Sequence, residues 1–180
     1  MPLLNSVTTP YAEALLQVVN ENDQTEAMVN EVKQLLSLIN DAPELGKTLS
    51  SPVLETETKK KIIIDVFSGQ INSSLLNFLK LLADRQRIGI VTAILDRFLE
   101  IYRENSNIAL ASVTSAVELT DEQKGLITKK IINIAGTEKL ELVTKIDPSL
   151  IGGFVASVGS KVIDASLASQ IRKLGLSLSK

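Results

Sequence analysis

The apolar residues of this sequence change period once, near Glu104 to Asn107, and that single change dictates two kinds of structure in succession. From Thr9 to Tyr102 they recur every three or four positions, the spacing of one face of an α-helix. Beyond Asn107, stretches of strict alternation appear, the period of a half-buried strand. With 180 residues the chain can form one ordinary domain or two small ones. The reading is mainly α: an N-terminal six-helix bundle over residues 1–105 and a small C-terminal α/β domain over 106–180.

Each expected helix carries start or stop signals. Thr9 and Pro10 supply an N-cap and a first-turn proline, and Tyr11, Ala14, Leu15 and Val18 follow at helical spacing. A second apolar row, Ala12, Leu16 and Val19, lies on another side, so this helix is either fully buried or open to a partner. The second helix runs from about Gln24 to Ile39 with Met28, Val32, Leu35, Leu36 and Ile39 inward. Pro43 opens a short third helix carrying Leu45 and Leu49. The fourth starts near Thr56 and buries Ile63, Val66 and Phe67. A fifth begins after Asn72 with Leu75, Phe78, Leu79 and Leu82 on one face, and the sixth covers about Ile88 to Tyr102. Short links between six such helices predict an antiparallel bundle.

In the second half, Ile108 to Leu119 reads as a strand. Thr120 to Gln123 is a capping box opening a helix that buries Ile127, Ile131 and Ile134 and stops at Gly136. Leu140, Leu142 and Ile146 alternate with Glu141 and Lys145. Asp147-Pro148 breaks the chain and Gly152-Gly153 permits a close or bulged backbone. Gly159-Ser160 is a two-residue hairpin turn, and Asp164 is expected to cap a last helix with Leu167, Ile171, Leu174 and Leu178 on one stripe.

Residue types then narrow the chemistry. Cys and His are absent, which removes disulfides, thiolate nucleophiles, Cys/His metal sites and the usual near-neutral general base. Carboxylate or lysine chemistry stays open, so an enzyme is disfavoured rather than excluded, but no convergent cluster of such groups stands out, and no cofactor, metal or catalytic residue is assigned. A net charge of −2 with no basic face argues against nucleic acid. The apolar stretch Leu150 to Val158 falls far short of the roughly 20 residues of a membrane span, and Met1 to Thr9 shows neither a basic leader nor an apolar signal core. Gly153 to Lys161 ends like a phosphate-binding loop, but its spacing is wrong and its residues read as a hairpin. Lys59-Lys60-Lys61 reads as a solvated face balanced by Glu55 and Glu57, and Asp84 to Arg87 as a soluble inter-helix turn.

Three stretches resemble a known family. Tyr11-Ala12-Glu13-Ala14-Leu15, then Asn77 to Arg87, and above all Ile146 to Phe154 followed by Gly159 and Ile163-Asp164-Ala165-Ser166 are similar to the delta subunit of F-type ATP synthases, called the oligomycin-sensitivity-conferring protein in mitochondria. In that last stretch Asp147, Pro148, Gly152, Gly153, Gly159 and Asp164 carry the signature. Pro10 stands where many members have Arg, and Gln86 where glycine is frequent.

The resemblance implies a non-catalytic stator subunit linking the catalytic head to the membrane-anchored peripheral stalk. It implies that the bundle receives the N-terminal helix of an alpha subunit in a groove formed by Tyr11, Ala14, Leu15 and Val18 with Phe78 and Leu81. The alpha and beta subunits of the head and the b-type stalk subunits would be the partners, with one copy per complex. The protein would be peripheral, on the cytoplasmic or stromal face of a plasma or thylakoid membrane. The competing reading is a helical adaptor of an unrelated assembly.

Overall fold

The computed structural model describes residues 2–21, 25–137 and 139–171. The chain divides into two compact units, Met1–Tyr102 and Arg103–Lys180.

The first unit consists of α1 (Pro2–Glu21), α2 (Thr25–Asp41), α3 (Pro43–Ser50), α4 (Thr56–Phe67), α5 (Ser73–Asp84) and α6 (Val91–Asn105), the last continuing into the second unit. A 3-10 turn, Ile88–Ile90, precedes α6, so the expected sixth helix begins with a tighter turn. The core is aliphatic with Phe67, Phe78 and Phe98. Local chemistry sets several ends. The Asn72 side chain accepts from the Ser74 amide, and the Glu31 carboxylate accepts from the Asn72 amide at 2.8 Å, which ties α2 to the start of α5.

Three expectations about this unit are corrected. α1 does not begin at Thr9 but runs through Pro10, giving up one backbone hydrogen bond there. Tertiary contacts offset that loss: Thr8 is buried, and the Thr9 hydroxyl accepts from Arg97 Nε at 3.3 Å. Val66 lies exposed on α4, because Ile63 and Phe67 already define the buried face. The lysine run is only partly a solvated face. Lys59 is largely buried, and Lys60 pairs with both Glu57 and Asp84, joining α4 to α5. Those two carboxylates, Asp84 first, hold the Lys60 ammonium above its ordinary pKa.

The turn after α5 explains a sequence oddity. Gln86 sits at φ +54°, and the bonds Gln86 N to Ala83 O and Arg87 N to Leu82 O form a Schellman cap, whose left-handed position favours glycine. Gln86→Gly is therefore expected to stabilise the chain by about 1 kcal/mol, the left-handed cost of a side chain being partly offset by unfolded-state entropy. A midpoint shift in urea checks this, and an unchanged or lower midpoint would contradict it.

The second unit has β1 (Ile108–Ser115), α7 (Asp121–Ala135), β2 (Lys139–Ile146), β3 (Phe154–Val158) and β4 (Lys161–Asp164). The sheet order is β2-β1-β3-β4. β1 pairs parallel with β2 across the α7 crossover and antiparallel with β3, while β3 and β4 form a hairpin. One sheet face is apolar: Ala111, Val113 and Ala156 pack with Ile127 and Ile131 of α7. The Thr120 capping box is complete, and Gly136 ends α7 at φ +74°. β1 stops at Ser115 rather than Leu119, where the Ser115 hydroxyl donates to Val117 O and the chain bends. Ile134 is exposed rather than buried, the side of α7 packed on the sheet being the one that carries Ile127 and Ile131. The Gly153–Lys161 stretch is a hairpin, with Gly159 at φ +55° in the first position of its loop.

Candidate functional site

Helix α1 has two apolar rows with different fates. Ala12, Leu15, Leu16 and Val19 are buried in the bundle core. Tyr11 is half-buried, while Ala14 is exposed and Val18 is 46 % exposed. The helix is thus apolar on a side that the bundle does not consume. On α5 a parallel division holds: Phe78 is buried in the core, and Leu81, one turn on, is 45 % exposed. Of the six residues expected to line a groove, Ala14, Val18 and Leu81 offer surface, Tyr11 offers part, and Leu15 and Phe78 are buried in the core. α1 and α5 contribute to one and the same core cluster.

The signature residues of the second unit are all accounted for by backbone geometry. The Asp147 side chain accepts from the Ser149 amide at 2.9 Å and opens the 3-10 turn Pro148–Leu150, with Pro148 in its first position. The Ser149 hydroxyl first, and its amide second, hold the Asp147 carboxyl below the ordinary carboxylate range. Asp147 N also donates to Ser115 O, pinning the turn to the end of β1. Gly152 and Gly153 run against the segment 165–167: Leu167 N donates to Gly152 O and Ala165 N to Phe154 O. Gly153 is at φ +80°, and a Cβ there would overlap the Ala165 carbonyl oxygen and the Ser166 backbone.

Asp164 does not cap the last helix. Its carboxylate accepts from the Ser166 amide, forming a turn, and the Ser166 hydroxyl accepts from Ser169 N and is the cap. Leu167 and Ile171 are exposed, and Leu174 and Leu178 lie outside the described residues.

Sequence reasoning missed an apolar cavity in this unit, flanked by Val117, Leu126 and Ile151. One signal was available: Leu126 falls beside the Ile127–Ile131 stripe rather than on it, so a second apolar direction exists on α7. Among the described residues no group of three carboxylates could hold a metal ion, and no helix is long and apolar enough to cross a membrane. What these surfaces offer is contact area and shape, with carboxylates and lysines scattered rather than converging.

Comparison with known proteins places the chain among its relatives. Residues 7–178 match the family described as the ATP synthase delta (OSCP) subunit. ATP synthase subunit delta of Prochlorococcus marinus (strain MIT 9515) is 93 % identical over 180 residues, covering 100 % of both chains. The protein of the same name from strain MIT 9313 is 56 % identical, covering 100 % of this chain and 99 % of the other. Among solved structures, a chain of the Toxoplasma gondii mitochondrial ATP synthase hexamer, determined by cryo-EM, superposes with a TM-score of 0.70 at 18 % identity, covering 96 % of this chain and 97 % of that one. At that identity the likeness is one of fold.

Proposed function

This chain belongs to the ATP synthase delta (OSCP) subunit family, and we propose from that premise that its two units hold two different partners. It is a structural subunit rather than a catalyst, a stator link of the F-type ATP synthase and peripheral to the membrane. The family membership sets aside the unrelated-adaptor reading. In the proposal, unit Met1–Tyr102 takes the N-terminal helix of an alpha subunit on top of the alpha and beta head. Unit Arg103–Lys180 takes the b-type stalk, with one copy per complex on the cytoplasmic or stromal face of a plasma or thylakoid membrane.

The observation that carries the first half is the unconsumed apolar side of α1. Ala14 and Val18 stand outside a core that Ala12, Leu15, Leu16 and Val19 already complete, and Leu81 adds a large exposed apolar side chain on α5. An amphipathic helix laid on such a surface buries its own apolar stripe, a recurrent recognition mode. Torque transmission asks for affinity and not for chemistry: a nanomolar contact corresponds to about 12 kcal/mol, within reach of aliphatic contacts alone. A head held this way resists rotation while the rotor turns.

The test uses the full chain with a photo-crosslinking residue at Val18 or Leu81, added to detergent-solubilised membranes stripped of their own delta subunit. Cross-links to the alpha N-terminal segment are the expected result. Retention of head and stalk subunits with cross-links elsewhere would refute the groove. Retention of neither would refute the two-ended tether.

A further inference from the structure

We propose that the cavity in the second unit, between α7 and the Ile151 turn, is a clamp for one amphipathic helix bearing carboxylates along its flank. This deepens the reading of that unit as the stalk-holding end and rests on it. The cavity, of about 790 Å³, has one wall made by Gln123, Leu126 and Lys130 of α7 and another by Ile151 to Phe154. Ile151 is 81 % exposed, Val117 70 % and Leu126 67 %. Three large apolar side chains this exposed around a single hollow exceed the scattered apolar surface of an ordinary monomer.

Ile151 is held there against its own preference. Its backbone is at φ +60° and ψ −37°, and Gly152 N donates to Leu150 O, closing a three-residue turn of the strained, positive-φ kind. A β-branched residue is an outlier in that region. Burial of its side chain does not offset the strain, because the side chain faces solvent. Neighbouring bonds impose it instead: Asp147 N to Ser115 O on one side and Leu167 N to Gly152 O on the other. The fold thus spends local stability on displaying an isoleucine at the rim of the hollow.

Two features select the occupant. Lys129 and Lys130 are the charged residues of the lining, and no carboxylate lines it among the described residues, so complementarity calls for acidic groups. The strand residues in the wall, Ser115 and Phe154, are already paired with each other, so no sheet edge is offered to an extended peptide. A helix, which satisfies its own backbone, is the form that can enter an apolar hollow without stranding polar groups.

The experiment measures affinity of the full chain for detergent-solubilised b-type stalk subunits and, separately, for the head. Leu126→Asp and Ile151→Asp are expected to weaken stalk binding by about 30-fold or more. Lys129→Glu with Lys130→Glu should weaken it by about 10-fold and flatten its salt dependence. Head affinity should not change and the melting temperature should not fall, and Val162→Asp, equally exposed on the opposite sheet face, should behave as wild type. Wild-type stalk affinity in the cavity variants overturns the clamp and leaves the two-ended tether standing. If the same variants instead lower the melting temperature, residues 172–180 occupy the hollow, and if they dissociate a dimer, a second copy does. Either overturns the proposal. Absence of stalk binding by the wild type overturns the clamp and the stalk-holding reading together.

Discussion

Ala14→Asp is expected to weaken binding of the chain to the catalytic head by about 100-fold while leaving its melting temperature within a few degrees. Ala14 is exposed on α1, and the core beneath it is completed by Leu15 and Val19, so an aspartate side chain meets water in the free protein. The intrinsic cost to the helix is at most about 0.7 kcal/mol. In the complex the same carboxylate would be trapped against an apolar helix. Stranding a charge there costs several kcal/mol unless it finds a partner, and 100-fold corresponds to about 2.7 kcal/mol. Titration calorimetry against a peptide of the alpha N-terminal segment, beside a melt followed by circular dichroism, separates the two effects. An unchanged affinity would remove Ala14 from the interface. A matching loss of melting temperature would show that this face is structural.

Gly153→Ala should be the most disruptive small substitution in the second unit, lowering its stability by about 3 kcal/mol or more. Two costs combine. A left-handed backbone penalises any side chain by about 1–2 kcal/mol. In addition, the new methyl group would overlap the Ala165 carbonyl and the Ser166 backbone, and no rotamer change relieves a clash with main chain. A unit of this size has little stability to lose. Gly159→Ala is the matched comparison: its φ is +55°, yet nothing lies within 4 Å of the added Cβ, so only the conformational cost of about 1 kcal/mol applies. Limited proteolysis should then cut the Gly153→Ala chain beyond Arg103 while sparing residues of the bundle. Equal resistance of the two variants would show that the close approach of Gly153 to residues 165–166 is not maintained in solution.

Local physics was legible before any coordinates. The Asn72 cap, the Thr120–Gln123 box, the Gly136 stop and the Gly159 turn each depend on a few adjacent residues, and each forms as its residues require. The change of period near Glu104 fixed the order of a helical part and a mixed part, because 3.6-residue and 2-residue repeats cannot serve the same element. The residue-by-residue likeness around Asp147 to Phe154 carried the family.

The tertiary structure alone decided which of several apolar faces is spent on the core. Val66, Ile134 and Val18 are as hydrophobic as their buried neighbours, and only the number of elements available to cover them leaves them outside. The turn of α1 that carries Pro10 is tied through Thr9 to Arg97, 88 positions away in the chain. The parallel pairing of β1 with β2 and the strained display of Ile151 likewise arise from partners distant in sequence. Periodicity and capping act between neighbours along the chain and so can be read from it. Burial, pairing and strain are settled by competition among distant segments for the same contacts, which a linear pattern does not record.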